Sequence, residues 1–207
     1  KLFGTDGIRG KFNEPPIDHV QLVKIGYAFA KSLFGKEEGR VYISHDGRES
    51  SSDIESALSI GIMHQGSKVI SVGLLPTPAL SICLNMQRLT EEICAGIQIT
   101  ASHNPYYDNG VKFFDKNGFK IDSALEEIVE NNYFNQTEKI YAKNQNNSKS
   151  DYAEKFNKRY INYINDYFLL KTKGIKTPKR KFNILVDCAN GATSKIINEV
   201  LKDSFIN

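Results

Sequence analysis

Apolar positions first recur at helical spacing after residue 20. Leu22, Ile25, Gly26, Phe29, Ala30 and Leu33 share one face, and Asp18 stands where an N-cap would. The pattern then shortens. Arg40 to Ser44 (RVYIS) is short and rich in β-formers. Ser52 with Glu55 makes a capping-box pattern opening a helix toward Gln65 and Gly66, and Lys68 to Val72 (KVISV) predicts a second strand. Strand, helix and strand form a βαβ unit with parallel strands. The turn around Pro76, Thr77 and Pro78 leads into a short helix with Ala79, Leu80, Ile82 and Cys83, and a strand is expected over Ile93 to Thr100. From Thr100 to Gly110 there are too few residues for a helical crossover, so Val111 to Phe114 should return antiparallel and make the sheet mixed. Asn117 and Gly118 form a turn, and Ser123 with Glu126 is expected to cap a helix containing Leu125, Ile128 and Val129.

Between Glu138 and Ser150 the chain turns polar (EKIYAKNQNNSKS), which predicts an exposed connection and a domain boundary near residue 150. Tyr152, Phe156, Tyr160, Tyr163, Ile164 and Tyr167 then recur at helical spacing, and Phe182 to Val186 (FNILV) predicts a strand ending in Asp187, Cys188, Ala189, Asn190 and Gly191. The expected fold is α/β: a three-layer α/β/α domain over 1–150 with a mixed, mostly parallel sheet, followed over 151–207 by the start of a second, similar domain. One strand and one short helix are too little to close that second sheet, so a piece of something longer is expected.

Composition narrows the function. The 207 residues are 40% apolar and 25% charged, ordinary for a globular chain. A net charge of +3, from 27 Lys plus Arg against 24 Asp plus Glu, is too small and mixed to propose nucleic acid as a partner. Cys83, Cys94 and Cys188 form no CxxC pair and read as small core residues. No stretch approaches the roughly 18 apolar residues of a membrane span, and KLFGTDGIRG holds no signal-like apolar run, so no membrane partner and a cytoplasmic location are expected.

The richest chemistry lies in Ile99 to Phe114, ITASHNPYYDNGVKFF, where a strand ends in a loop of Ser, His, Asn, Asp and Gly before a lysine-bearing return strand. Ligands bind at such strand ends in α/β sheets. Asn104 with Pro105, and Asn109 with Gly110, would also serve as plain turn formers. Ser102 next to His103 is no hydrolase arrangement, because adjacent side chains are not expected to converge and there is no GxSxG elbow. GTDGIRG, Gly4 to Gly10, is spaced unlike GxGxxG, and no GK[ST] occurs, so no dinucleotide or ATP site has a signature. Its glycines allow a flexible loop presenting Asp6 and Arg9, whose guanidinium suits a phosphate oxygen pair; a surface salt bridge is the alternative. HDGRES, His45 to Ser50, offers Asp46 and Arg48 at another strand end, and the three loops could share a cleft.

These segments together resemble the α-D-phosphohexomutases along nearly the whole chain. TASHNP is similar to the family's phosphoserine loop, which implies that Ser102 carries a phosphoryl group and that Lys112, ten residues on, is a general acid or base. The resemblance further maps the N-terminal arginine to Arg9 and the residues after the serine to His103 and Asn104. It matches HDGR and PTP to helper loops and VDCANGA, Val186 to Ala192, to the opening of the second domain. Catalytic roles are thus implied for Ser102, Lys112, Arg9 and His103, and phosphate or substrate binding for Arg9, Asn104 and Lys112. FGTDGIRG with ASHNPYYDNGVKFF is most similar to the branch that interconverts glucosamine 6-phosphate and glucosamine 1-phosphate.

What the resemblance implies is two in-line transfers through a bisphosphate, with hexosamine or hexose phosphates as partners, Mg2+ as cofactor and a possible homodimer. A phosphate oxygen on Ser102 would be one metal ligand; the family's aspartates come from a DGDGDR-like run that this sequence does not contain, so the chain alone is expected to be inactive. A silent sugar-phosphate binder would be expected to lose Ser102 or Lys112, and both are present. A phosphatase acting through a phosphoserine would release inorganic phosphate rather than an isomer.

Overall fold

The structure is a computed structural model that describes residues 1–87, 93–141, 152–174 and 183–202. In chain order it contains β1 (Ile8–Lys11), α1 (His19–Phe34), β2 (Arg40–His45), α2 (Ser51–Gln65), β3 (Lys68–Leu74), α3 (Thr77–Gln87), β4 (Cys94–Ile99), β5 (Asp108–Phe114), α4 (Ser123–Phe134), α5 (Tyr152–Thr172) and α6 (Ile197–Val200). The strands form one sheet in the order β1-β5-β4-β2-β3. β3, β2 and β4 are parallel, joined by helical crossovers, whereas β5 runs antiparallel to both β4 and β1. The sheet is mixed because the short link after β4 returns without a helix.

Alternation along β2 sorts the core. Val41 and Ile43 enter the cluster under α1 and α2, while Tyr42 enters the opposite cluster with Leu80, Leu84 and Phe156. β4 is buried at every position, as a strand covered on both faces must be. α1 and α2 pack so closely that their backbones meet. A Cβ on Gly61 would lie 2.0 Å from the Val23 carbonyl oxygen, and one on Gly26 would lie 2.2 Å from that of Leu58.

Three local expectations shift or hold in detail. Asp18 caps α1 as foreseen, accepting from the Gln21 amide at 3.0 Å. α2, however, begins one residue before Ser52. Its cap is Ser50, whose side chain caps nothing and donates instead to Asn109 Oδ1, and Glu55 is consequently inside the helix, where burial raises its carboxyl pKa against a hydrogen bond with Ser71. α4 is capped by Asp122 rather than Ser123: the Asp122 carboxylate takes the Leu125 amide at 2.9 Å, and Glu126 pairs with Lys120 at 3.1 Å.

The expected boundary near residue 150 lies outside the described residues. α5, beyond it, packs on the first sheet: Phe156 is fully buried with its ring 5.1 Å from that of Tyr42, and Arg159 donates to Gln87 at 2.6 Å. Of the expected strand, Phe182 also lies outside the described residues. Residues 183–186 adopt no strand, and Leu185 is 98% exposed. Extended backbone is stable in a sheet only beside a partner, and the described sheet brings none alongside. Cys83 and Cys94 are buried as expected, burial pushing the Cys83 thiol up to about 12, but Cys188 is only half-buried. No helix among the described residues is long and apolar enough to cross a membrane.

Gly61→Ala tests the α1–α2 contact. Alanine gains up to about 1 kcal/mol of helix propensity, but the new methyl would strike a backbone carbonyl rather than a movable side chain. A net loss of about 1–3 kcal/mol is expected in urea unfolding.

Candidate active site

β4 ends at Ile99, and three residues later Ser102 sits with φ 57, a left-handed conformation that costs an L-residue about 1–2 kcal/mol. Its amide donates to Thr100 Oγ1 at 3.0 Å, and that hydroxyl donates to Asp46 Oδ2 at 2.8 Å. The side chain is exposed, and Oγ lies 3.3 Å from His103 Nδ1. This corrects the expectation that the two neighbours diverge: the positive φ swings them together. Absence of a GxSxG sequence still sets the loop apart from a nucleophile elbow.

The loop is held from the strand beside it. Arg48, just past β2, donates to the carbonyl oxygens of Pro105 at 2.7 Å, Asp108 at 2.8 Å, Asn104 at 3.0 Å and Ser102 at 3.2 Å, and its Nε meets Asp46 at 3.1 Å. A planar guanidinium with five donors suits this task. The sequence placed Arg48 at the cleft but did not reveal that its donors are spent on the serine loop; the one available signal was an arginine two residues after an aspartate at a strand end.

The other residues arrive on β5 and β1. Lys112 faces Gln98 of β4, and Arg9 stands opposite Gly110. The N-terminal segment expected as a flexible loop is therefore in part an edge strand, entered through a tight turn at Gly7. There φ is 92, and a Cβ would meet the Val111 carbonyl oxygen at 2.3 Å. Asp6 in this turn binds both cations through Oδ2: Lys112 Nζ lies at 2.5 Å and Arg9 Nη2 at 3.4 Å. Arg9 Nη1 also donates to Asn104 Oδ1 at 3.3 Å, and the Asn104 amide donates to Asp108 at 2.9 Å. The salt bridge weighed as an alternative for Arg9 is present, and it joins Arg9 to Lys112 and the serine loop. The hydrogen bond from Lys112, helped by the charges of Lys112, Arg9 and Lys120 and opposed by burial, holds the Asp6 carboxyl below its usual 3.8.

Ser102, His103 and Asn104 line a cleft of about 1040 Å³ together with Arg48, Lys11 and residues 189–192. Arg9 and Lys112 are not among its lining residues; they reach the serine loop through Asp6 and Asn104. Nor is the PTP segment, which opens α3. The VDCANGA turn is tied by the Ala189 amide donating to Asp187 at 2.8 Å. Among the described residues no group of three or more His, Cys, Asp or Glu could hold a metal ion.

Residues 1–140 match the family described as phosphoglucomutase/phosphomannomutase, alpha/beta/alpha domain I. The chain belongs to that family. The resemblance to the phosphohexomutases is thereby borne out. It is 38% identical over 205 residues to a phosphoglucosamine mutase of Hamiltonella defensa and 38% identical over 205 residues to one of Marinomonas sp., in each case spanning 98% of this chain but only 43% of the relative. Among solved structures, a putative phosphomannomutase from Thermus thermophilus superposes with a TM-score of 0.75 at 26% identity, covering 97% of this chain and 42% of that one. A Burkholderia thailandensis family protein, at 21% identity and TM-score 0.72, shares the fold.

Two outcomes test the site. Arg48→Lys keeps the charge but loses the fork, so amide exchange at residues 102–109 should accelerate about 10-fold, equivalent to about 1.4 kcal/mol of local opening, with the β4 core unchanged. For Asp6, a folded pKa below the unfolded value means that the stabilisation is complete above the unfolded pKa and is lost as pH falls through the folded one. In Lys112→Met the Asp6 carboxyl should titrate higher, back toward 3.8, read by carboxyl carbon NMR.

Proposed function

We propose that this chain is the phosphoserine-bearing part of a phosphoglucosamine mutase, which interconverts glucosamine 6-phosphate and glucosamine 1-phosphate. The observation that carries the reading is the exposed Ser102 hydroxyl just past the C-terminal end of β4, lining a cleft, with Arg9 hydrogen-bonded to Asn104 of its loop and paired, together with Lys112, to Asp6. Several relatives at 36–38% identity are named phosphoglucosamine mutase.

In the first transfer the bond between phosphorus and Ser102 Oγ breaks as a bond forms to a sugar hydroxyl. The hydroxyl proton leaves the sugar and reaches Oγ, with Lys112 as its carrier. The bisphosphate then turns over, and Oγ takes the other phosphoryl group as its own proton passes back to the sugar oxygen. One isomerisation results. Arg9 and Asn104 bind phosphate oxygens. His103, 3.3 Å from Oγ, accepts or donates a hydrogen bond there and so orients the hydroxyl.

Magnesium fits this chain only in part. A phosphoserine oxygen is a suitable hard ligand. Asp46 is already engaged by Arg48 and Thr100, and Asp108 by Asn104, so the remaining metal ligands belong to the part of the protein that the relatives have beyond this chain. Residues 1–150 are proposed as the phosphoserine domain and 151–207 as the opening of the next, in a cytoplasmic enzyme that works on hexosamine or hexose phosphates and forms a homodimer.

Intact mass of the whole protein should show one added phosphate, absent in Ser102→Ala. Lys112→Met should lower kcat by about 10²- to 10⁴-fold with KM nearly unchanged, since proton transfer is what it removes. The 207-residue chain by itself should form no glucosamine 1-phosphate. Release of inorganic phosphate in place of an isomer would assign a phosphatase instead.

A further inference from the structure

We propose that Asp6 is a positioning residue that acts as an exchangeable counter-ion: its carboxylate holds Lys112 and Arg9 beside the serine loop while Ser102 is a free hydroxyl, and yields them to the phosphate once Ser102 is esterified. The inference rests on the phosphoserine reading and adds to it a state-dependent partner for the two cations.

The geometry is specific. One oxygen, Asp6 Oδ2, serves both Lys112 Nζ and Arg9 Nη2, and Arg9 Nη1 is moored on Asn104, two residues from Ser102. The neighbouring carboxylates are committed differently. Asp46 is taken by Arg48 and the Thr100 hydroxyl, and Asp108 accepts from the Asn104 amide. Asp6 is thus the carboxylate shared between these two cations.

Its necessity follows from desolvation. The Lys112 side chain is only 16% exposed, and an ammonium so placed is costly without an anion. Its replaceability follows from charge. A phosphoserine carries about −1.5 to −2 and three acceptor oxygens, against a single charge on Asp6, so a phosphate within reach outcompetes the carboxylate for the same donors. Asp6 itself is 43% exposed at the side chain, so leaving the pair returns it to water at little cost. The turn that carries it, closed by the Gly4 amide donating to the Gly7 carbonyl at 2.9 Å, then loses its tie to β5 through Lys112.

Hydrogen–deuterium exchange of the intact protein, prepared with and without phosphate on Ser102 and checked by mass, reads the turn directly. Residues 4–8 should exchange at least about 5-fold faster in the phosphorylated form, the equivalent of about 1 kcal/mol. Asp6→Asn should bring the unphosphorylated form to that faster rate and abolish its response to phosphate. Asp6→Glu should restore part of the difference. Equal or slower exchange in the phosphorylated wild type, or a full response in Asp6→Asn, would overturn the inference while leaving the phosphoserine intact. If Asp6→Asn does not fold, the wild-type comparison decides alone. A Ser102 that accepts no phosphate from a hexose bisphosphate donor would remove the phosphoserine reading and this inference together, an outcome that mass alone distinguishes.

Discussion

The antiparallel return from β4 into β5 is the constraint on which the rest depends. A helical crossover after Ile99 would have sent the next strand off parallel, with its first residues at the opposite end of the sheet. The short return instead sets Val111 against Ile99 and Lys112 against Gln98, so that the strand leading into the serine loop and the strand carrying Lys112 are direct neighbours. β1 then pairs antiparallel with β5 and delivers Arg9 opposite Gly110, from about a hundred residues away in sequence. Lys112 and Arg9 thus join one ion-paired group around Asp6, tied to the serine loop through Asn104, without any of them lying on a helix.

Such a return leaves carbonyl groups pointing out of a short link that has little regular structure of its own, and Arg48 gathers them. Its hydrogen bonds to Ser102, Asn104, Pro105 and Asp108, with Asp46 neutralising its charge, offset the backbone cost of a serine at φ 57. Each charged hydrogen bond contributes about 1.5–3 kcal/mol at best, against about 1–2 kcal/mol of left-handed strain. The balance favours the strained serine even if only one or two of the contacts reach that range. The result is an exposed Ser102 Oγ on a loop braced by several hydrogen bonds, the kind of support that the proposed role as a reacting oxygen calls for.

The elements legible in the sequence were those with a long or strong pattern. α1 reads clearly because its apolar face repeats over several turns, and β4 because its run is buried on both sides. β1 carries no such pattern: IRGK is four residues long, half of it polar, and its partner is a hundred residues on. Both capping boxes lie one or two residues from the observed caps: Asp122 beside Ser123 is an equally good cap type, and α2 starts after Ser50, whose hydroxyl the fold draws to Asn109 instead of the helix. Residues 183–186 have strand composition without a partner, and composition cannot provide the second strand. The sequence singles out Ser102, Lys112, Arg9, His103 and Asn104 as candidates but carries no sign of the links among them. The Asp6 bridge and the approach of His103 to Ser102 depend on a turn and a positive φ that residue identities do not encode.

Two arginines show how environment, rather than residue type, divides the labour. Arg48 and Arg9 both follow an aspartate near the end of the sheet, and residue type alone does not separate them. In the fold Arg48 has its guanidinium saturated by loop carbonyls and a carboxylate, with its side chain only 11% exposed. Releasing it to a ligand would cost the loop its support. Arg9 is 35% exposed and holds two longer contacts, at 3.3 and 3.4 Å, both to side chains that can turn away. An incoming phosphate can replace those contacts with shorter, charge-assisted ones. The same reasoning separates Asp46, which is structural because its partners anchor the loop, from Asp6, whose partners are the groups that a phosphate would seek. On the phosphoserine reading proposed above, the site divides into a fixed frame from the loop after β2 and an exchangeable layer around β1: one holds the Ser102 oxygen in place, the other accommodates a charge that comes and goes.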